Sequence, residues 1–125
     1  MDDDHSQHST IAKMLSFQQL PVGWHYGEGR PCVVVALLQA LYLHRYAQIL
    51  GLTETDAFPG IDGALLLTVY DGDDTLAFQC ELDGSISYVL ERNDLEVAET
   101  EDLTMAQART ILYAHVMQKS CPGSY

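Results

Sequence analysis

Residues 64–99, ALLLTVYDGDDTLAFQCELDGSISYVLERNDLEVAE, decide how this chain folds. Apolar and polar residues alternate there in short runs, the period-2 pattern of half-buried strands. Four strands are predicted, over 64–71, 75–82, 85–92 and 94–99. Between them, Asp71-Gly72-Asp73-Asp74, Asp83-Gly84 and Asn93-Asp94 are turn signals. The Asp-Gly dipeptide favours a type I′ hairpin, and Asn93-Asp94 is the weaker signal. Connections this short leave no room for crossover helices, so the strands must form an antiparallel meander. The pattern places Leu76, Phe78, Cys80, Leu82, Ile86, Tyr88, Leu90, Leu95 and Val97 on one face. Gln79, Glu81, Ser87, Glu91, Asp94 and Glu96 fall on the other, giving a sheet apolar toward helices and acidic toward water.

Upstream, the period changes to helical. Residues 32–50 are apolar around most of the circumference, with Gln39, His44, Arg45 and Gln48 the polar exceptions. Such a helix needs cover on more than one side, from the sheet and another helix or from a second copy in a homodimer. Residues 10–19 predict a short helix through Ile11, Met14, Leu15 and Gln18. Residues 20–31 and 52–63 are rich in Gly and Pro and read as loops. Thr104 and Gln107, three apart, form a capping box that opens a last helix, with Met105, Ala108, Ile111, Leu112, His115 and Val116 as its inner stripe. The expectation is a two-layer α+β domain over residues 10–119. Its four-stranded antiparallel meander would carry helices on one face, in the order (α)-α-β-β-β-β-α. Residues 1–9 read as a disordered acidic, polar tail and 120–125 as a flexible one.

Charge is the most uneven property. The 125 residues carry 18 Asp and Glu against 6 Lys and Arg, a net −12. Residues 54–102 hold 14 of those carboxylates against a single base, Arg92. That imbalance repels polyphosphate and anionic lipid, so nucleic-acid and membrane-surface binding are disfavoured. No apolar run reaches the ~20 residues that span a bilayer, and Met1-Asp-Asp-Asp lacks a basic leader, so a cytoplasmic setting is expected. Three cysteines without CxxC spacing, Cys32, Cys80 and Cys121, suit free thiols.

Each candidate chemistry has a plainer alternative. His25 and Glu28, in the Gly-rich loop with Trp24, Tyr26 and Arg30, have the residue types of a base and its orienting carboxylate. The plainer reading packs Trp24 and Tyr26 onto the core and leaves the other three solvated. Cys32 begins a helix, which lowers a thiol's pKa, but has no partner histidine in evident reach. Asp71, Asp73 and Asp74 lack the spacing of a calcium loop and are explained by turn chemistry, so no metal or other cofactor is expected. Gly27 and Gly29 fail as a phosphate loop, because no lysine follows and Glu28 would repel the phosphate. His44 and His115 read as helix-face or satisfied core histidines. The acidic face remains. Glu81, Glu91, Asp94, Glu96 and Glu99, with Asp71, Asp73 and Asp74 of the first turn, are the candidate partner-binding residues. Their excess goes beyond solubility and suits a basic protein partner.

The segment Leu20-Pro-Val-Gly-Trp-His-Tyr-Gly-Glu-Gly-Arg-Pro31, then Asp62-Gly63 before a strand and Asp83-Gly-Ser-Ile-Ser-Tyr88, resembles a group of small bacterial hypothetical proteins. The resemblance covers about residues 20–117 and implies the same Gly-Trp loop, helix and four-strand meander, without implying an activity. A second likeness is to short acidic antitoxin-like proteins with a Leu-Pro-x-x-Trp-Asp-Gly-Tyr-Gly loop, where this chain has His25 in place of the Asp. The expected function is non-enzymatic protein binding through the acidic face, as in an antitoxin-, immunity- or CRISPR-inhibitor-like antagonist of a nucleic-acid-handling protein. The alternatives are an enzyme or ligand-binding protein with its site in the 24–30 loop, and a self-associating module built on the 32–50 helix.

Overall fold

The computed structural model describes residues 3–120. Helix α1 (Asp3–Ser16) runs into a single 3-10 turn (Phe17–Gln19), and α2 (Val34–Ile49) follows the Gly-rich loop. Five strands come next: β1 (Glu54–Pro59), β2 (Leu65–Asp71), β3 (Asp74–Cys80), β4 (Ile86–Arg92) and β5 (Leu95–Leu103). Helix α3 (Met105–Ser120) closes the order. The α+β class is as expected. The sheet has five strands, not four, all antiparallel and in sequence order.

The additional strand is β1, in a segment read as a loop. Its burial pattern shows no alternation, and only Ala57 is fully buried. Pro59 is tolerated because β1 is an edge strand and Pro59 is its last residue. Helix α1 covers that edge: Met14 is buried, Thr10 Oγ1 donates to the Thr55 carbonyl at 3.1 Å, and Lys13 Nζ donates to Asp56 at 2.8 Å. The helix starts at Asp3 rather than residue 10, so it takes in positions 3–9 of the expected tail. Residues 1–2, and 121–125 of the C-terminal tail, lie outside the described residues.

The core lies between the sheet and α2. Ala36, Leu37, Ala40, Leu43, His44 and Ala47 form the buried stripe of α2. They face Leu65, Leu67 and Val69 of β2, Leu76, Phe78 and Cys80 of β3, and Ile86 and Tyr88 of β4. Burying each large apolar side chain contributes about 1.5–3 kcal/mol. The Thr104–Gln107 capping box forms reciprocally, at 2.8 and 3.2 Å, and starts α3 over Ala108 and Leu112.

Two turns exchange roles. Asn93 and Asp94 have φ of 55° and 65° and join the paired residues Arg92 and Leu95, so the type I′ geometry sits there. At Asp83-Gly84 the loop is wider: Glu81 N–H donates to the Ser85 carbonyl, and Asp83 accepts from Ser85 N–H and Oγ. Leu82, Leu95 and Val97 are exposed rather than inward. Leu95 pairs Arg92 and lies uncovered at the start of the edge strand, while the cause at Val97 is a bulge. Glu91 pairs Glu96 while Leu90 pairs Ala98, leaving Val97 as the extra residue. A second irregularity follows before Leu103, where Asp102 takes φ 58°.

Candidate functional site

The register separates the carboxylates into two sets. Asp71 and Asp74 pair across the β2–β3 turn, and Asp74 pairs Arg92 on β4. Alternation then puts all three on the helix side with Val69, Leu76 and Leu90. Asp74 is buried and takes a forked contact from Arg92, Nε at 2.7 Å and Nη2 at 3.2 Å. His115 Nε2 reaches Asp71 at 2.8 Å, and Lys119 Nζ reaches Asp74 at 3.6 Å. The Arg92 hydrogen bond, aided by the charge of Lys119, holds the Asp74 carboxyl below its ordinary value. Asp71 and Asp74 therefore leave the acidic face on which the sequence had placed them. Asp73 stays exposed in the turn. Among the described residues no group of three or more His, Cys, Asp or Glu is placed to hold a metal ion.

The second set lies on the opposite face. Glu91 and Glu96 stand directly across from one another, and Glu99, opposite Val89, continues the same face. Like charges so paired oppose strand association. Asp94, at the tip of the β4–β5 turn, is exposed beside them. β5 is the open edge of the sheet, and its first eight residues are all exposed. At the other end of the sheet, Asp62, Glu81, Asp83, Glu101 and Asp102 line a cleft of about 470 Å³ together with Leu82, Ser85 and Ser87. Partial burial, then the charges of Asp62, Asp83 and Glu101, push the Glu81 carboxyl above its ordinary value. The cleft gathers five carboxylates, and Glu81 is the one whose carboxyl its neighbours raise. Glu81 was expected among the site residues; Asp62, Glu101 and Asp102 were not, because only the β1–β2 loop and the second irregularity of β5 bring them to it.

The Gly-rich loop is a small hairpin of its own. His25 and Glu28 exchange backbone hydrogen bonds of 2.6 and 2.9 Å around Tyr26-Gly27, both with positive φ. Trp24 Nε1 donates to the Arg30 carbonyl at 2.9 Å, and its indole lies so close over Gly29 that a Cβ there would meet it at 2.7 Å. Trp24 thus packs on its own loop. Tyr26, expected against the core, is 97% exposed at the tip. His25 and Glu28 meet through backbone, and their side chains form no hydrogen bond with each other. Arg30 is exposed, and its N–H ties the loop to the Ile61 carbonyl.

Burial overrides the helix start at Cys32 and pushes that thiol up to about 11; Cys80 rises to about 12 for the same leading reason. Both are buried and free. His44, buried against Thr55 Oγ1 at 3.0 Å, is lowered by burial and stays neutral. It is a satisfied core histidine, as is His115.

Fold and surface together define a small α+β protein with one strongly anionic sheet face. No helix among the described residues is long and apolar enough to cross a membrane. Comparison with protein-family models, curated proteins and solved structures finds no match to the chain.

Proposed function

We propose that the protein is a non-enzymatic binding module that docks a basic protein through the outer face of β4 and β5. One observation carries this reading. Arg92, the single base in residues 54–102, is committed to Asp74 on the helix side, so the outer carboxylates have no cation from their own segment. The Glu91–Glu96 pair and the five-carboxylate cleft both oppose folding, and a basic partner relieves that repulsion when it binds. Plain solubility is met by charges of both signs interspersed, without the self-repulsion of a single-sign field. A protein that handles nucleic acid, with its cationic groove, is the partner class we favour, and an antagonist that occupies that groove is the form the activity takes.

Capture from a lysate of the native host tests this. Wild type and Glu28→Lys, which changes charge in the distant loop, should retain the same basic protein. Glu91→Lys/Glu96→Lys should lose it, as should wild type at about 0.5 M salt, where the screening length falls to about 4 Å. Retention by the double variant at both salt concentrations would remove the acidic face from the account.

A further inference from the structure

The outward side of α2 is built as an interface. Val35, Leu38, Tyr42 and Ile49 recur at heptad spacing, and each is 40–67% exposed. Val34, also exposed, widens the stripe. Exposed apolar side chains scattered singly are ordinary; a row of four on one helix, interrupted only by the exposed Arg45, is not. Beside it lies α3, with Tyr113 and Met117 half-exposed on the same layer. Arg109 crosses from α3 to α2, its guanidinium 5.7 Å from the Tyr42 ring and 5.0 Å from the Tyr46 ring, and donates to Tyr42 Oη at 3.3 Å. Those contacts hold Tyr42 in the middle of the row. Two hollows of about 400 and 260 Å³ open on either side of Tyr46.

The charge map says what covers this face. Neither α2 nor α3 contains a single Asp or Glu, in a chain of net −12. Two copies that approach sheet to sheet bring like carboxylates together. Two copies that approach through α2 and α3 bring apolar rows together and leave both acidic sheets pointing away. The outer sheet face exposes Phe58 and Tyr70 among its carboxylates, fewer and less exposed than the α2 row, so a head-to-tail contact would bury less apolar surface. Size agrees. Sixteen-residue helices are about 24 Å long, and two side by side make a flat footprint of roughly 480 Å², below the ~800 Å² per partner of a standard interface and suited to a weak, reversible dimer.

We propose that α2 and α3 form a twofold interface with a second copy of this chain, giving a dimer with its two acidic sheets facing outward. Such a dimer is bivalent, so two basic sites on one partner would be held with added avidity. The inference does not depend on the function proposed above, since it concerns the opposite layer.

Sedimentation equilibrium on the full chain from about 1 to 100 μM tests it, micromolar self-association being about −8 kcal/mol. A mass of twice the 13.9 kDa chain is expected, unweakened by about 0.5 M salt because the contact is apolar. Leu38→Glu and, separately, Ile49→Glu should each give a monomer with a wild-type circular dichroism spectrum and the melting temperature that wild type shows when diluted to monomer. Both side chains are mostly exposed, so neither change touches the core. A monomer at 100 μM would overturn the proposal. So would a dimer that survives both variants, or species larger than a dimer that dissolve in salt, the mark of α2 docking on a neighbour's acidic sheet.

Discussion

Asp74 and Glu81 bracket the same strand, one opening β3 and the other just past its end, yet their carboxyls are driven in opposite directions. Asp74 is buried among Arg92, Lys119 and His115 and is held ionised. Glu81 is less buried but shares its cleft with four other carboxylates and is pushed toward protonation. Burial acts upward on both; neighbouring cations reverse it for Asp74, and neighbouring anions add to it for Glu81. A surplus of acid is therefore no single property of this chain. One set fastens α3 to the sheet, and the other is left unneutralised on the outside.

The sharpest way to break that distinction is to remove the neutralised member. Asp74→Asn leaves Arg92 and Lys119 without their counter-charge on the helix side. Because Arg92 is half-exposed and can rehydrate, the loss should be about 1–3 kcal/mol, less than for a fully buried pair, read by urea denaturation at pH 7. A change below about 0.5 kcal/mol, the scatter of ordinary surface substitutions, would show that the cluster is incidental.

Acidification separates the sets next. The folded value of Asp74 is depressed, so its stabilisation is present above its ordinary value of 3.8 and is lost as pH falls through the lower folded value. His44, also depressed, adds a loss that begins as pH falls below 6.5. Glu81 has the opposite sign: its destabilisation is present above its raised folded value and is relieved as pH falls toward 4.5. The stability gap between wild type and Asp74→Asn should be full at pH 7, begin to narrow below 3.8 and close as Asp74 is protonated, when a neutral carboxyl and an amide stand at the same position. A gap that does not narrow at all between about pH 4 and pH 2 would mean that packing, not charge, holds the cluster.

The outer set should respond weakly and with reversed sign. Glu96→Lys turns the like-charge pair with Glu91 into an opposite-charge one, so the melting temperature should hold or rise, by no more than about 1 kcal/mol in stability. Glu81→Gln should raise it less, within about 0.5 kcal/mol. A fall in either would show hidden partners for these carboxylates.

Much of this was legible in the sequence, for identifiable reasons. The strand β3 alternates strictly, β2 and β4 are short runs bounded by turn residues, and α2 and the Thr104–Gln107 box carry strong local signals. What failed depended on partners distant in the chain. β1 is recognisable only once α1 is seen to cover it. Val97 looks inward until the bulge there shifts the register, and Leu95 keeps the inward register but lies uncovered at the end of the edge strand. Asp71 and Asp74 read as turn residues, which they are. Nothing local says that Arg92, 18 residues on from Asp74, and His115, 44 on from Asp71, come back to meet them. The acidic cleft was half visible, through Glu81, and hidden where Asp62, Glu101 and Asp102 join it.

The most direct measurement is a carboxyl-resolved NMR titration of the wild-type protein, following Asp74 and Glu81 in one sample. The account predicts that Asp74 titrates below 3.8 and Glu81 above 4.5, the two curves spread apart in opposite directions from their ordinary values. Both groups titrating together near those ordinary values would contradict it, because the two sets of carboxylates would then feel the same surroundings.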